Sequence, residues 1–259
     1  MRQCAFCNSD ASSGEHLWSD WIGRLFTSSG YNFRHVNTDG NLSQRWQAPS
    51  LSTKAKVICR ECNNTWMSTI ESDAKSALAE MIRLAAPVSL LASGINALSA
   101  YAFKCAVIAN HMSPASDANL FFSPYDRRRF RESRQIPDGV QMWIAAFSGV
   151  HATSGIFKSS YMTAKEPCKD IEFFTFTFGA GYLVFQVLAS RWTNVHHGYK
   201  LLPHVEPDGY WNTAATQFWP RDGFPLQWPP THILGDDMLA PFVQRFGESI
   251  KIKTYMQPC

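Results

Sequence analysis

Four of the seven cysteines in this 259-residue chain form two pairs with the same short spacing, Cys4/Cys7 and Cys59/Cys62. A Cys-x-x-Cys pair in a tight turn binds one metal ion through two thiolates, and two such pairs complete the tetrahedral coordination that Zn²⁺ prefers. Four thiolates leave no open position for water, so the spacing predicts a structural zinc ion. Four ordinary buried cysteines are the alternative, and disulfides are disfavoured because nothing in the sequence indicates an oxidising compartment.

A second set of polar residues lies close to these pairs in the sequence. The dipeptide Glu15-His16 follows the first pair, and Asn63 comes directly after Cys62. An imidazole that titrates near neutral pH can take a proton from water, while carboxylate and amide oxygens are suitable ligands for Mg²⁺ or Mn²⁺. Taken alone, Glu15-His16 is compatible with a solvated surface and Asn63 with a helix N-cap. Their position relative to the two cysteine pairs is what favours a catalytic role.

This arrangement resembles the HNH, or ββα-metal, nuclease superfamily. Its zinc-stapled members carry a first Cys-x-x-Cys pair, an acidic-His dipeptide at the end of a strand, and a second Cys-x-x-Cys pair that leads into a helix. The resemblance covers residues 1–86 and implies metal-dependent hydrolysis of DNA. It implies that Glu15 and Asn63 hold a catalytic Mg²⁺ or Mn²⁺ and that His16 is the general base. It also implies a structural zinc ion held by Cys4, Cys7, Cys59 and Cys62.

The chain departs from the superfamily pattern at two positions. Glu15 replaces the commoner Asp, which lengthens the ligand by one methylene. Lys54 occupies the position of a middle Asn that orients the loop carrying the base, so Asn37 or Asn41 would have to take that role. A zinc-stapled module that binds nucleic acid or a protein without catalysis is therefore the main alternative. A nuclease that acts on RNA as an effector is a third interpretation.

The elements that position these residues are predicted from hydrophobic periodicity. Apolar residues at helical spacing predict one helix over residues 17–26 and another from residue 63 to about residue 84. A short strand over residues 57–59 is expected to precede the second cysteine pair. Residues 31–56 are predicted to form an insertion loop with a strand near residues 31–36.

Two further residues of the predicted helix that begins at Asn63 bear on the site. Trp66 is expected to pack beneath the metal loop. Glu71, two turns after Asn63, is a reserve metal ligand if Glu15 is not one, and a solvent-facing Glu is the alternative.

The remainder of the chain predicts helices followed by an antiparallel sheet. Residues 97–111 indicate a buried helix with Cys105 facing inward, and Ser123-Pro124 indicates the start of another helix. Strands are predicted over residues 140–147, 155–163, 171–178 and 182–190, and a final helix after residue 237. The fold class is therefore α+β, with a nuclease-like domain over residues 1–86 and a second domain over residues 87–259.

The helix predicted after Ser123 carries the densest basic cluster of the chain. Arg127, Arg128 and Arg131 are the candidate contacts with nucleic-acid phosphates, and a solvated, partly salt-bridged helix face is the alternative. The net charge of +3 is mild for a protein that binds DNA, so attraction to phosphate has to come from such a local patch.

Composition limits the remaining possibilities. A hydrophobic content of 45% is enough for a substantial core. The uncharged stretch over residues 85–103 contains too many polar residues to enter a membrane easily, and no signal peptide is evident, so a cytoplasmic location without membrane contact is expected. A single site of this kind cuts one strand, so cutting both strands would require a homodimer or two successive visits.

Overall fold

The computed structural model describes most of the chain and has an α+β architecture, which confirms the predicted fold class. Its sheets are antiparallel except for one short parallel pairing. The described residues are 3–26, 31–36, 42–48, 54–83, 87–112, 120–148, 155–163, 171–192, 199–206, 211–221, 223–246 and 251–258.

The N-terminal part contains short strands and one short helix. The elements are β1 (Ser13–His16), α1 (Asp20–Gly23), β2 (Tyr31–Val36), β3 (Leu42–Ala48) and β4 (Lys54–Ile58). Strand β1 pairs with β4, and β2 pairs with β3. The predicted strand near residues 31–36 is confirmed. The predicted helix over residues 17–26 is shorter than expected, although its apolar residues Leu17, Trp18 and Ile22 are buried as the pattern indicates.

A long helical segment follows β4 directly. It comprises α2 (Arg60–Cys62), a π-helical turn (Asn63–Met67) and α3 (Ser68–Arg83). The helix begins earlier than predicted because Cys59 is its N-cap and its thiol accepts a hydrogen bond from the backbone N–H of Cys62. The predicted apolar stripe is buried at Met67, Ile70, Ala74, Leu78, Met81 and Ile82.

Two more helices connect this segment to the main sheet. After β5 (Val88–Leu90) come α4 (Ala92–Met112) and α5 (Pro124–Ser133). Ser123 caps α5 as predicted, and Asp126 completes a reciprocal capping box with it. Helix α4 is long and apolar enough to span a membrane by length and composition, but 72% of its most apolar window is buried inside the fold. Most of this helix therefore packs inside the fold.

The main sheet contains the predicted strands. These are β6 (Val140–Phe147), β7 (Gly155–Thr163), β8 (Ile171–Ala180) and β9 (Leu183–Trp192). The strand order is β7-β8-β9-β6, so β7, β8 and β9 form an antiparallel meander, while β6 pairs with β9 and not with β7, the next strand in the sequence. The remaining elements are β10 (Tyr199–Glu206), α6 (Trp211–Ala214), β11 (Thr216–Trp219), β12 (Leu226–Trp228), β13 (Ile233–Leu234), α7 (Asp236–Gln244) and β14 (Lys251–Pro258).

The two faces of this sheet pack into different hydrophobic cores. Phe174, Phe176 and Phe178 belong to a large core that also includes α3, α4 and the N-terminal elements. Phe173 belongs to a smaller core that is covered by α6 and α7. Residues before and after the predicted boundary at residue 86 thus share the large core, and the division of the chain into two domains stays a prediction.

The turn between β8 and β9 attaches the sheet to the helical segment. Gly181 has a left-handed backbone (φ 57°), and the next residue, Tyr182, donates its backbone N–H to the carbonyl of Ile82 at 2.9 Å. A Cβ atom on Gly181 would lie 2.3 Å from that carbonyl oxygen, so glycine is required for the close approach. Trp18 also donates its indole N–H to the carbonyl of Gly179 at 3.1 Å.

Candidate metal centre and adjoining carboxylate cluster

The four predicted cysteine ligands converge on one point. Their sulfur atoms all lie within 4.8 Å of one another. The sulfur of Cys7 lies 3.6 Å from that of Cys59 and 3.8 Å from that of Cys62. A tetrahedral zinc ion with Zn–S bonds of about 2.3 Å places its sulfur ligands about 3.8 Å apart, so the spacing fits a metal of this kind. The four cysteines therefore lie close enough together to hold one metal ion, as the sequence predicts.

The protonation of these thiols depends on one another. The thiol of Cys62 donates to Cys4, and this interaction lowers the pKa of Cys4 to about 4. The same interaction, together with burial, raises the pKa of Cys62, and burial raises the pKa of Cys59. Four thiolates at this spacing repel each other and need a cation to ionise together. A divalent ion that prefers sulfur ligands meets that need.

Aromatic packing attaches the cysteine cluster to the large core. The ring of Phe6, between the first two cysteines, meets Trp66 edge-to-face with centroids 4.9 Å apart. Trp66 in turn contacts Phe130 of α5, and the guanidinium of Arg134 lies 4.5 Å from the Trp66 ring centroid. Trp66 therefore packs against the metal loop, as the sequence predicts.

The segments that carry Glu15, His16 and Asn63 belong to one ββα unit. Antiparallel strands β1 and β4 lead directly into the helix that begins at Cys59. The side-chain amide of Asn63 donates to the hydroxyl of Ser13 at 2.8 Å. Asn63, which opens the helical segment after the last cysteine, therefore lies against the strand that carries the acidic-His dipeptide.

Glu15 lies in a buried ion pair that the sequence did not indicate. Its Oε1 atom accepts a hydrogen bond from Nζ of Lys104 at 2.8 Å, and both side chains are almost inaccessible to solvent. The same Nζ atom contacts Oε1 of Glu71 at 2.6 Å. Burial lowers the pKa of Lys104, but the two carboxylates outweigh burial and raise it overall, so the ammonium form is favoured.

A hydroxyl pair extends this cluster. Ser19 donates its hydroxyl to Oε1 of Glu71 at 2.7 Å and lies 3.1 Å from the hydroxyl of Tyr101. Residues of β1, α3 and α4 and the residue before α1 thus meet at one buried point. Both Glu15 and Glu71, the predicted reserve ligand, contact the ammonium group of Lys104. We call Glu15, Ser19, Glu71, Tyr101 and Lys104 the Lys104 cluster.

His16 is separated from this cluster by the geometry of its strand. Consecutive residues of a strand point to opposite faces, so the buried side of β1 is occupied by Glu15 while His16 is half-buried. Its backbone partner in β4 is Lys54. Among the described residues, the four cysteines are the only group of three or more Cys, His, Asp or Glu side chains that lie close enough together to hold a metal ion.

The three predicted nucleic-acid contacts have different environments. Arg127 donates to the carbonyl of Ala5 at 2.7 Å and lies 2.9 Å from Nε2 of His111, so it joins α5 to the first metal loop. Arg131 forms a loose ion pair with Glu61 at 3.6 Å. Arg128 is exposed.

Sequence reasoning missed Lys104, although the sequence contains a signal for it. Lys104 lies in the helix that was predicted to be buried, next to Cys105, which was predicted to face inward. A lysine in such a helix requires a carboxylate partner because an isolated buried charge is too costly. What the sequence does not show is which carboxylates these are, since Glu15 and Glu71 lie far from Lys104 along the chain.

Comparison of the chain with protein-family models, with curated proteins and with solved structures gives no match.

Proposed function

We propose that the chain is a metal-dependent endonuclease that hydrolyses DNA phosphodiester bonds at the ββα unit built on the four-cysteine cluster. The observation that carries this proposal is the hydrogen bond between Asn63 and Ser13. It brings the residue after the last cysteine to the strand that carries Glu15 and His16. This juxtaposition is what the resemblance to HNH nucleases requires.

The residue types suit the chemistry of phosphodiester hydrolysis. The half-buried imidazole of His16 is accessible enough to take a proton from a water molecule. Asn63 uses its amide nitrogen to bind Ser13, which leaves its amide oxygen as a candidate metal ligand; the carboxylate of Glu15 is the other candidate. A bound Mg²⁺ or Mn²⁺ would stabilise negative charge on the scissile phosphate and on the leaving oxygen.

The surface next to the metal loop supports a nucleic-acid substrate. A cleft of about 230 Å³ separates the first cysteine pair from the start of α5. Asn8 and Gln3 line one side, and Arg127 and Arg128 line the other. Arg127 already contacts Ala5 and His111, whereas Arg128 is exposed. Arg128 is therefore the best candidate for a phosphate contact among the arginines of α5.

A second candidate function is a zinc-stapled module that binds nucleic acid or a protein without catalysis. The ion pair between Lys104 and Glu15 favours it, because the ammonium already occupies one oxygen of the proposed metal ligand. The replacement of the usual middle Asn by Lys54 points the same way. The two candidates differ in one property, which is whether a divalent ion at this site supports cleavage.

Cleavage of supercoiled plasmid by the full chain tests the proposal. The wild type is incubated with Mg²⁺, Mn²⁺ or EDTA, next to His16→Ala and the matched control His232→Ala, which changes an exposed histidine outside the ββα unit. Zinc content and thermal unfolding are measured first for each protein. We expect nicking by the wild type and the control only with a metal, and a loss of about 100-fold or more in His16→Ala.

Two results would reject the proposal in different ways. If none of the zinc-loaded proteins cuts DNA with any metal, the endonuclease function is wrong and the binding module takes its place. If His16→Ala cuts as fast as the wild type, His16 is not the base.

A further inference from the structure

The Lys104 cluster places three ionisable side chains together inside the protein. Lys104 is in the middle of α4, and its side chain is 1% exposed. One ammonium contacts two carboxylates, Glu15 and Glu71. With both carboxylates ionised, the cluster has a net charge of −1.

A buried ion pair of this kind is a poor way to gain stability. Removing charged groups from water costs free energy that their attraction repays only in part, and apolar residues of similar volume often stabilise a protein as well or better. The surrounding positions of α4, including Phe103 and Ala106, show that apolar residues fill this core. The charges at Lys104 are therefore more simply explained by a functional requirement.

The contacts of Lys104 also fix the orientation of Glu15. The ammonium binds Oε1 of Glu15, while Oε2 accepts no hydrogen bond from any residue in the described part of the chain. The Glu71 side chain is 26% exposed, so the cluster reaches solvent on the side of α3. A carboxylate held through one oxygen, beside a second carboxylate that is partly exposed, is suited to receive a cation.

We propose that Lys104 is a positioning residue for Glu15 and that Glu71 belongs to the same divalent-cation site. Lys104 holds Glu15 through one oxygen and leaves the other for the metal, as hydrogen-bonded neighbours do for carboxylate ligands in other metal sites. Through Lys104, helix α4 becomes part of a site whose other members lie in the ββα unit. This inference rests on the proposed function, because it assumes that Glu15 is a metal ligand.

Mn²⁺ binding to the zinc-loaded full chain tests this role independently of cleavage. Free Mn²⁺ is measured by electron paramagnetic resonance during titration of the wild type, Lys104→Met, Lys104→Arg and the matched control Lys75→Met. Lys75 is an exposed lysine of α3. We expect Lys104→Met to lose about 10- to 100-fold in Mn²⁺ affinity. Lys104→Arg should recover part of the loss because it keeps the charge, and Lys75→Met should bind like the wild type.

Cleavage rates of the same proteins separate positioning from a general loss of structure. Each variant must retain zinc and a cooperative unfolding transition. We expect the maximal cleavage rate of Lys104→Met to fall at saturating DNA, while the DNA concentration for half-maximal rate stays within about twofold of the wild type. If Lys104→Met does not fold, the uncharged Lys104→Gln carries the test. Wild-type Mn²⁺ affinity and cleavage rate in folded Lys104→Gln would then overturn the role.

The remaining outcomes are distinct from a failure of the endonuclease proposal. Unchanged Mn²⁺ affinity and cleavage in a folded Lys104→Met variant would make the cluster purely structural. Higher Mn²⁺ affinity would mean that the ammonium competes with a cation, which also overturns the inference. If the wild type neither binds Mn²⁺ nor cleaves DNA, the proposed function fails first and the role of Lys104 fails with it.

Discussion

In the cysteine cluster and in the Lys104 cluster, groups that are negative when ionised lie close together, but the cation that neutralises them has a different origin in each. Each brings together groups that repel one another when ionised, from segments that are distant in the chain. The four thiols require an external cation. The two carboxylates have an internal cation, Lys104, which comes from another helix. The first cluster can therefore be assembled by the ββα unit and a metal, whereas the second depends on α4.

This difference explains why the sequence predicts the cysteine cluster but not the Lys104 cluster. Two Cys-x-x-Cys pairs are local patterns, because each pair is set by one turn. The Lys104 cluster joins residues of four segments, and no local pattern specifies which carboxylate meets which lysine.

The largest effect is expected from loss of the metal at the cysteine cluster. Cys62→Ser, or treatment of the wild type with a strong zinc chelator, should unfold the ββα unit, since a structural zinc supplies about 10–16 kcal/mol of apparent binding free energy. Zinc content and thermal unfolding provide the measurement. Cys105→Ser is the matched control, because Cys105 is a buried thiol outside the cluster. Retention of the fold by zinc-free protein would contradict a structural role for the metal.

A smaller loss of stability is expected from Lys104→Met. The change leaves two neighbouring carboxylates without their cation, and removing one partner of a buried ion pair costs about 3–5 kcal/mol. The free energy of unfolding from urea denaturation measures the effect. Lys75→Met, with the same chemical change at an exposed position, should stay within about 0.5 kcal/mol of the wild type. Equal stability of the two variants would show that the buried pair is not maintained in solution.

A substitution in the turn between β8 and β9, which attaches the sheet to α3, should cause an intermediate loss of stability. Gly181→Ala forces a side chain into a left-handed conformation, and its Cβ would meet the carbonyl of Ile82, so we expect a loss of about 1–3 kcal/mol. Gly223 also has positive φ, but a Cβ atom added there would have no neighbour within 4 Å, so Gly223→Ala isolates the backbone contribution. The difference between the two variants in urea denaturation measures the clash. If Gly223→Ala is as destabilising, the close approach at Ile82 is unimportant.

The smallest effect on stability, and a selective effect on binding, is expected at α5. Arg128→Ala should leave unfolding unchanged but weaken DNA binding and reduce the salt slope of the affinity by about 1, as loss of one phosphate contact does. Arg127→Ala should instead destabilise the fold, because it removes contacts with Ala5 and His111. Filter binding at several salt concentrations, with the exposed Arg83→Ala as control, distinguishes these roles. Equal DNA binding by wild type and Arg128→Ala would exclude this face of α5.

Elements with strong local signals were predicted well. The strands over residues 140–147 and 155–163 have the predicted bounds, and the cap at Ser123 is present. Phe174, Phe176 and Phe178 of β8 lie in the same core, because side chains of a strand alternate between its two faces regardless of its partners.

Elements that depend on tertiary contacts were predicted less well. Strand β3 was read as part of a loop, because its polar residues give little periodic signal and its order comes from pairing with β2. The helix predicted over residues 17–26 contracts to α1, although Leu17 and Trp18 are still buried against the core. Arg127 appeared to be one of several similar arginines, and only the fold shows that it faces the metal loop.

The most direct test of a second cation at Glu15 is a count of metal ions on wild-type protein and Glu15→Gln. We predict one tightly bound zinc per chain in both proteins and one weaker Mn²⁺ site that only the wild type retains. Zinc content, Mn²⁺ titration and thermal unfolding of the same samples provide the result. A Mn²⁺ site that persists in folded Glu15→Gln, or no Mn²⁺ site in zinc-loaded wild type, would contradict the claim that a second cation binds at Glu15.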